Sequence, residues 1–223
     1  MLRCRPTFRR DRSGVAATEF AVIMPLAIFA ILAEFDMYRY VMATQRLEIL
    51  AESVAQMLAS PIASTSATTT GDGVVSDWDI NFAMNSAYFL YPDILTSPAV
   101  QQGATWWQAL EVDTAAIKMT LQPDGTYKPA TVWHGTNQSA SNTRQCGATF
   151  TLAPDTSVSS PTTLPADLVG PNSLIVVDVT TTFQPTFGAS YLPSMTIRRT
   201  VYMPPRNVPF IEYQGSGWMA VNC

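Results

Sequence analysis

The stretch that decides the fold is residues 9–25, Arg-Arg-Asp-Arg-Ser-Gly-Val-Ala-Ala-Thr-Glu-Phe-Ala-Val-Ile-Met-Pro. Its basic residues end at Arg12, and an apolar run then extends from Val15 to Ala33 with a single acidic residue, Glu19. The run is 19 residues long, close to the ~20 that a helix needs to span a bilayer. An acidic side chain costs roughly 2.5–3.5 kcal/mol at the centre of a membrane helix and less near its end, so Glu19 requires a structural reason.

Cleavage of the chain after Gly14 would supply that reason. Val15 would become the new amino terminus, with Glu19 four residues further along the helix. Residues four apart lie on the same face of a helix, so the new ammonium group and the Glu19 carboxylate could pair within one chain or between adjacent chains. A carboxylate in the first turn also suits the positive end of the helix dipole.

These residues resemble a known family of exported proteins. Gly14 before the cut, Glu19-Phe20 after it and an apolar helix containing Pro25 are similar to the processing site of type IV-related prepilins. The similarity is to the TadE-like branch, the minor pilins (pseudopilins) of the Tad, or tight adherence, pilus. A second similarity lies at residues 176–206, whose Val-, Thr- and Ile-rich segments resemble the C-terminal hairpin of TadE-like proteins.

The resemblance implies a minor pilin that acts in pilus assembly, priming or adhesion. It implies cleavage between Gly14 and Val15 by a membrane aspartyl prepilin peptidase, and an assembly role for Glu19 and Phe20. Glu19 would be the partner of the new N-terminal amine. The implied partners are prepilin peptidase, other Tad pilins, the pilus assembly machinery and the inner membrane.

The charge distribution predicts the orientation of the chain in a bacterial inner membrane. The net charge of −4 divides into +4 before the cut, from five Arg and one Asp, and −8 after it, from eight basic and sixteen acidic residues. Positive residues beside an apolar helix stay in the cytoplasm. We therefore expect a single-pass protein whose C-terminal part is periplasmic, or extracellular in the pilus. The sequence has no basic patch of the kind that indicates nucleic-acid binding.

The cysteines agree with this orientation. Cys4 lies in the leader, whereas Cys146 and Cys223 both lie in the part predicted to be exported. Two cysteines in an oxidising compartment most simply form one disulfide, the alternative being two buried thiols. A zinc site would need more ligands than two cysteines and the single His134 offer, and we expect no metal or cofactor.

The helix is predicted to continue beyond the membrane. No helix breaker occurs before Ser60-Pro61, and apolar residues recur at helical spacing, which predicts one helix over residues 15–59. Its second half is amphipathic and should pack on a globular domain. The residues expected on the apolar face are Leu47, Leu50, Val54, Met57 and Leu58.

The remaining chain predicts an α+β domain. The expected units are a leader at 1–14, a transmembrane helix at 15–33, its amphipathic continuation at 34–60 and a globular, mainly antiparallel β-sheet domain at 61–223. Within the domain we expect a helix capped by Ser76 and two antiparallel strand pairs. The predicted elements are a loop at 62–73, a helix at 77–91, and strands at 109–121, 126–133, 173–183 and 195–203. Pro129 favours an edge position or a bulge.

Other interpretations of the sequence fit its residues less well. An ordinary signal peptide needs small residues at its cleavage site, and Ile31 before Ala33 fits poorly; an uncleaved signal anchor is the remaining variant. A signal-anchored periplasmic binding module or enzyme needs a convergent polar site. His134 has no Gly-x-Ser-x-Gly partner motif, and nothing in the sequence brings the acidic residues together, so we expect no enzyme. The acidic candidates, expected in turns or on the surface, are Asp113, Asp124 and Asp178.

One pair of aromatic residues has two interpretations. Trp106-Trp107 is a candidate for a contact between subunits, with packing in the core as the default for such side chains.

Overall fold

The computed structural model describes residues 13–138, 144–148, 150–154, 160–187 and 192–223, with only the backbone of residues 13–16. Residues 1–12 of the predicted leader lie outside the described residues. The described chain is an α+β structure, with a long N-terminal helix packed on a mainly antiparallel sheet.

Helix α1 runs without interruption from Ser13 to Leu58. Its 46 residues correspond to about 69 Å at 1.5 Å per residue. Pro25 lies inside the helix and does not end it. Membrane-spanning helices tolerate a proline in their interior. The prediction of one helix over 15–59 is therefore correct to within two residues at either end.

The second half of α1 supplies one side of the core. The buried positions recur every three or four residues, which places them on one stripe of the helix. They are Ala43, Leu47, Leu50, Ala51, Val54, Ala55 and Leu58. Met57, predicted on this stripe, is exposed, because at 3.6 residues per turn its side chain points just outside the arc that the buried residues occupy.

A five-stranded antiparallel sheet faces this stripe. The strand order is β7-β6-β2-β3-β9, and α1 packs across β6 and β7. The strands are β2 (Leu110–Leu121), β3 (Tyr127–Thr136), β6 (Leu174–Phe183), β7 (Met195–Met203) and β9 (Ala220–Asn222). The two predicted antiparallel pairs, β2–β3 and β6–β7, are confirmed.

The turn of the β2–β3 hairpin is formed by the residues that the sequence predicts for it, Asp124 and Gly125. Asp124 accepts hydrogen bonds from the backbone N–H and the hydroxyl of Thr126, at 2.9 and 2.6 Å, and Gly125 adopts the left-handed conformation with φ +82°. Pro129 pairs with Met119 on β2. On its other side the partner strand β9 pairs only with residues 133–135 of β3, so Pro129 occupies the predicted edge position.

The helix predicted over residues 77–91 is divided in two. Helix α2 (Asp77–Asn85) begins at the predicted cap, where Ser76 and Asp79 form a capping box, and α3 spans Ala87–Leu90. The junction is Ser86, whose hydroxyl donates to the Ala83 carbonyl at 2.6 Å. Such a bond competes with the backbone bonds of a continuous helix.

Short elements complete the domain. Strand β1 pairs with β8 in parallel, and β4 pairs with β5 in parallel; neither pair was predicted. The elements are β1 (Gly73–Val75), β4 (Thr151–Ala153), β5 (Thr163–Pro165), β8 (Ile211–Tyr213), α4 (Pro98–Gln101), α5 (Trp106–Ala109) and 3₁₀ turns at Pro92–Thr96 and Ala166–Leu168.

A buried ion pair lies on the sheet face opposite α1. Arg144 Nε donates to Asp178 Oδ2 at 2.8 Å, and the side chains of both residues are almost completely buried. Arg198 approaches the other carboxylate oxygen at 3.1 Å. Arg144 also donates to the carbonyls of Thr163 and Ser160, so the pair holds the segment around β5 against the sheet.

This arrangement corrects the expectation for two acidic residues. Asp113 and Asp178 lie directly opposite each other on β2 and β6, and both are buried. This proximity depends on the register of two strands that are far apart in the chain, which a local sequence pattern does not reveal. Only Asp124 has the expected turn position.

Asp178→Ala should destabilise the domain by about 3–5 kcal/mol, because it leaves the buried Arg144 guanidinium without its counter-charge. Urea denaturation of the full chain in lipid nanodiscs, followed by tryptophan fluorescence, measures the change. The matched control is Asp167→Ala, which removes an exposed acid and should change the free energy of unfolding by less than about 0.5 kcal/mol. Equal effects of the two substitutions would show that the ion pair does not stabilise the fold.

Candidate assembly helix

The first half of α1 presents an apolar surface that its own domain does not cover. Residues 17–31 are all exposed, including Phe20 at 62% and Phe29 at 72%. The described chain contains one helix long and apolar enough to cross a membrane, and its most apolar window has a mean hydropathy of 2.0 with no residue buried. An apolar surface of this extent marks a contact with a membrane or a partner.

The predicted processing residues lie in the first turns of this helix. Gly14 and Val15 belong to α1 by their backbone, and Glu19 and Phe20 are exposed on it. Because Val15 and Glu19 are four residues apart in one continuous helix, they share a face. In this structure Ser13 and Gly14 precede Val15 in the helix, so Val15 has no free amino group. The pairing of a new amine with Glu19 stays a prediction.

The domain first touches α1 just beyond the apolar run. The Asp36 carboxylate accepts hydrogen bonds from the backbone N–H groups of Thr186 and Phe187, at 2.8 and 3.0 Å. The rings of Phe35 and Phe187 meet edge to face, with centroids 5.7 Å apart. These contacts attach residues 186–187, which follow β6, to α1 at residues 35–36.

A second set of contacts continues one turn further along α1. Arg39 donates to the Thr186 hydroxyl and lies 5.9 Å from the centre of the Phe183 ring. Tyr40 meets the same ring edge to face, with centroids 5.5 Å apart. The junction therefore combines ring contacts with charge-assisted hydrogen bonds, which fix both the position and the direction of the domain on the helix.

The position of this junction matches the thickness of a bilayer. The segment from Val15 to Glu34 contains 20 residues, or about 30 Å of helix, which equals the hydrocarbon thickness of a typical bilayer. The next residues, Phe35 and Asp36, already contact the domain. In a membrane the domain would consequently begin at the bilayer surface, with no linker between them.

An ion pair also ties α1 to the turn at Pro92–Thr96. Arg46 pairs with Asp93, and Tyr91 is buried beside them. Burial, followed by the nearby Asp93 carboxylate, raises the pKa of Tyr91 to about 12, so its phenol stays neutral at physiological pH. The contact lies on the same side of the molecule as the junction at Asp36.

The disulfide predicted from the compartment is present at the opposite end of the domain. Cys146 and Cys223 are bonded across 77 residues, with their Cα atoms 5.2 Å apart. The Cys223 N–H donates to the Val132 carbonyl at 2.7 Å, directly after β9 pairs with β3. The bridge therefore helps to hold Cys223 and the short strand β9 against the sheet.

The candidate residues His134 and Asp113 lie in the β2–β3 hairpin. His134 pairs with Ala115 across the β2–β3 hairpin; burial lowers its pKa, and the Asp113 carboxylate acts in the opposite direction. Burial, and then Asp113, raises the pKa of Glu111. Among the described residues no group of three His, Cys, Asp or Glu side chains is arranged to hold a metal ion.

Comparison with known proteins agrees with the N-terminal similarity. Residues 14–56 match the model of the TadE-like protein family, a range that contains the predicted processing residues, the exposed apolar part of α1 and most of the buried stripe. Neither a curated protein nor a solved structure matches the chain. The match supports the TadE-like assignment through α1, and the sheet domain lies outside the matched residues.

Replacing both Cys146 and Cys223 with serine should lower the free energy of unfolding by about 2–4 kcal/mol, since the bridge limits the freedom of the unfolded chain. Urea denaturation of the full chain in nanodiscs measures the loss. Cys4→Ser, the control, should leave stability unchanged. Two titratable thiols in the unreduced Cys4→Ser protein would contradict the bridge.

Proposed function

We propose that the chain is a minor pilin of a Tad-type pilus, a proposal supported by the match of residues 14–56 to the TadE-like protein family. In this proposal, prepilin peptidase removes residues 1–14, and the mature chain enters the pilus or its assembly platform through α1. The chain acts as a structural subunit in assembly, priming or adhesion rather than as an enzyme.

The observation that carries the proposal is the unburied apolar half of α1. Side chains such as Phe20 and Phe29 are exposed on a helix that continues directly into the domain core at Leu47 and Leu50. A membrane holds this segment before assembly, and the apolar helices of neighbouring subunits replace the lipid afterwards. Both environments remove the same apolar surface from water, so transfer between them requires no refolding of the domain.

Glu19 gives the helix a defined axial position in this proposal. A carboxylate surrounded by apolar side chains is costly unless it is paired. The Val15 ammonium created by cleavage supplies the partner, from the same subunit or from a neighbour. Since the amine exists only after cleavage, an unprocessed chain would leave Glu19 unpaired, and only mature subunits would assemble well.

The junction around Asp36 transmits that position to the domain. Its hydrogen bonds to Thr186 and Phe187 leave no linker between α1 and the sheet. Once the helix is fixed in position within the pilus, the sheet domain is therefore fixed as well. A regular filament requires each subunit to adopt the same position in this way.

Gly14→Leu should block processing, because a bulky side chain replaces the small residue before the predicted cut. The full chain is expressed with its cognate peptidase, and the mass and N-terminal sequence of the product are measured. The variant should remain entirely precursor, whereas the control Gly14→Ala keeps a small side chain and should still be processed. A wild-type product that begins at any residue other than Val15 would overturn the predicted site.

Glu19→Ala should leave cleavage intact, since Glu19 lies beyond the cut bond, but should sharply reduce association with pili. The mature fraction is measured by mass, and the pilus-associated fraction after shearing. The control is Glu34→Ala, which removes an acid at the other end of the apolar run and should associate as the wild type does. Normal pilus association of fully processed Glu19→Ala protein would defeat the proposed role of Glu19.

A further inference from the structure

A groove with aromatic walls lies on the surface of the sheet domain, away from the apolar half of α1. Its volume is about 480 Å³, within the range of about 300–1,000 Å³ that is usual for small-molecule sites. Four segments line it: α2, α5, the end of β3 and the C-terminal turn before β9. The residues that matter below are Asn81, Asn85, Trp106, Trp107, Gln138 and Trp218.

The C-terminal wall of the groove is held rigidly. Asp77 accepts hydrogen bonds from the N–H and hydroxyl of Ser216 at 2.6 and 2.8 Å, from the N–H of Met219 at 3.2 Å and from the Tyr213 hydroxyl. Burial raises the pKa of Asp77, but these bonds outweigh it and hold the pKa below its ordinary value. The ionised carboxylate thus fixes the turn that carries Trp218.

The opposite wall is fixed by two amides. Asn137 donates to the Leu110 carbonyl at 2.8 Å and accepts from the Val112 N–H at 2.9 Å. Gln138 donates to the Trp107 carbonyl at 2.9 Å. Both walls are therefore positioned by hydrogen bonds within the protein, and a ligand would enter a preformed groove, which lowers the entropic cost of binding.

The aromatic side chains of the groove are open to solvent. Trp107 is 45% exposed and Trp218 is 53% exposed. Trp106 contacts Trp107 edge to face at 5.8 Å, and Trp78 contacts Trp218 in the same way at 6.1 Å. Edge-to-face contacts leave flat ring faces that can receive a ligand, and several exposed rings gathered in one groove form the kind of apolar patch that marks a binding site.

The polar part of the lining is neutral. No Asp, Glu, Lys, Arg or His is among the described residues that line the groove. Asn85 donates to Asn81, and in the described part of the chain the Asn85 Oδ1, the Asn81 Nδ2 and the Gln138 Oε1 make no hydrogen bond. An amide offers both a donor and an acceptor, which matches a hydroxyl group that also does both.

We propose that this groove binds the neutral pyranose units of a polysaccharide. A pyranose ring has an apolar face of C–H groups, which fits the exposed face of Trp107 or Trp218, and a rim of hydroxyl groups, which fits the amides of Asn81, Asn85 and Gln138. Two exposed tryptophans on separate segments of the lining offer two stacking surfaces for sugar units of one chain. The inference goes beyond pilus assembly and does not depend on processing at Gly14.

Two other classes of ligand fit the groove less well. Single-stranded nucleic acid would also stack on tryptophan, but its phosphates need basic residues, and the described lining has none. A proline-rich peptide docks in aromatic-lined grooves, which leaves the amides on two segments of the lining, α2 and the end of β3, without a role.

The test measures binding by isothermal titration to the full chain in lipid nanodiscs, which avoids detergents with sugar headgroups. The probes are cellohexaose, chitohexaose and maltohexaose, with hexagalacturonate and a decaproline peptide for comparison. At least one neutral hexasaccharide should bind with a Kd of about 10 μM to 1 mM. Hexagalacturonate and decaproline should not bind in this range.

Variants then locate the binding site. Trp107→Ala and Trp218→Ala should each weaken binding by roughly tenfold or more, since each removes a ring face. Asn85→Leu changes an exposed side chain on α2 and should weaken binding without disturbing the C-terminal turn. Phe89→Ala removes an aromatic ring that is 80% exposed but outside the groove, and should bind as the wild type does.

Three results would overturn the proposal. One is the absence of binding to all neutral hexasaccharides; another is undiminished binding by both tryptophan variants and by Asn85→Leu when each unfolds at the wild-type temperature. The third is preferential binding of decaproline, which would identify the groove as a peptide site.

Discussion

The uninterrupted backbone hydrogen bonding of α1 from Ser13 to Leu58 is the constraint on which the rest of the structure depends. A helix of about 69 Å cannot bury its whole length against a domain of this size. Its second half is buried at Leu47, Leu50 and Val54, whereas its first half is exposed around Phe29. One end of the helix thus forms part of the hydrophobic core of the domain, and the other end exposes an apolar surface that the described chain does not cover.

Three carboxylates attach the irregular segments to this frame. Asp36 holds the segment at residues 186–187 against α1, Asp77 holds the C-terminal turn, and Asp178 holds the segment around β5 through Arg144. Only 13% of the residues are charged, and these three acids accept hydrogen bonds from distant parts of the chain, with Asp77 and Asp178 buried and Asp36 half-buried. With the disulfide at Cys223, they allow a loop-rich domain to present fixed surfaces, including the tryptophan groove.

The sequence predicted those features that depend on local pattern. The α1 helix followed from spacing and the absence of breakers, the β2–β3 turn from Asp124-Gly125, and the α2 start from Ser76. Features that depend on distant partners were missed or wrong. The proximity of Asp113 and Asp178 required the β2–β6 register, the break at Ser86 required a side-chain bond, and the groove required the C-terminal turn to meet α2. The processing residues came from a local motif, whose chemistry stays a proposal.

If the exposed half of α1 is buried against other helices in an assembled pilus, as we propose, a photo-crosslinking amino acid at Phe29 should reach those helices. The substituted chain is expressed in the host, and the sheared pili are analysed after irradiation. We expect covalent adducts between this position and the apolar helices of neighbouring pilin subunits. A chain that is absent from the sheared pili, or that crosslinks only to its own sheet domain, would show that α1 does not assemble in this way.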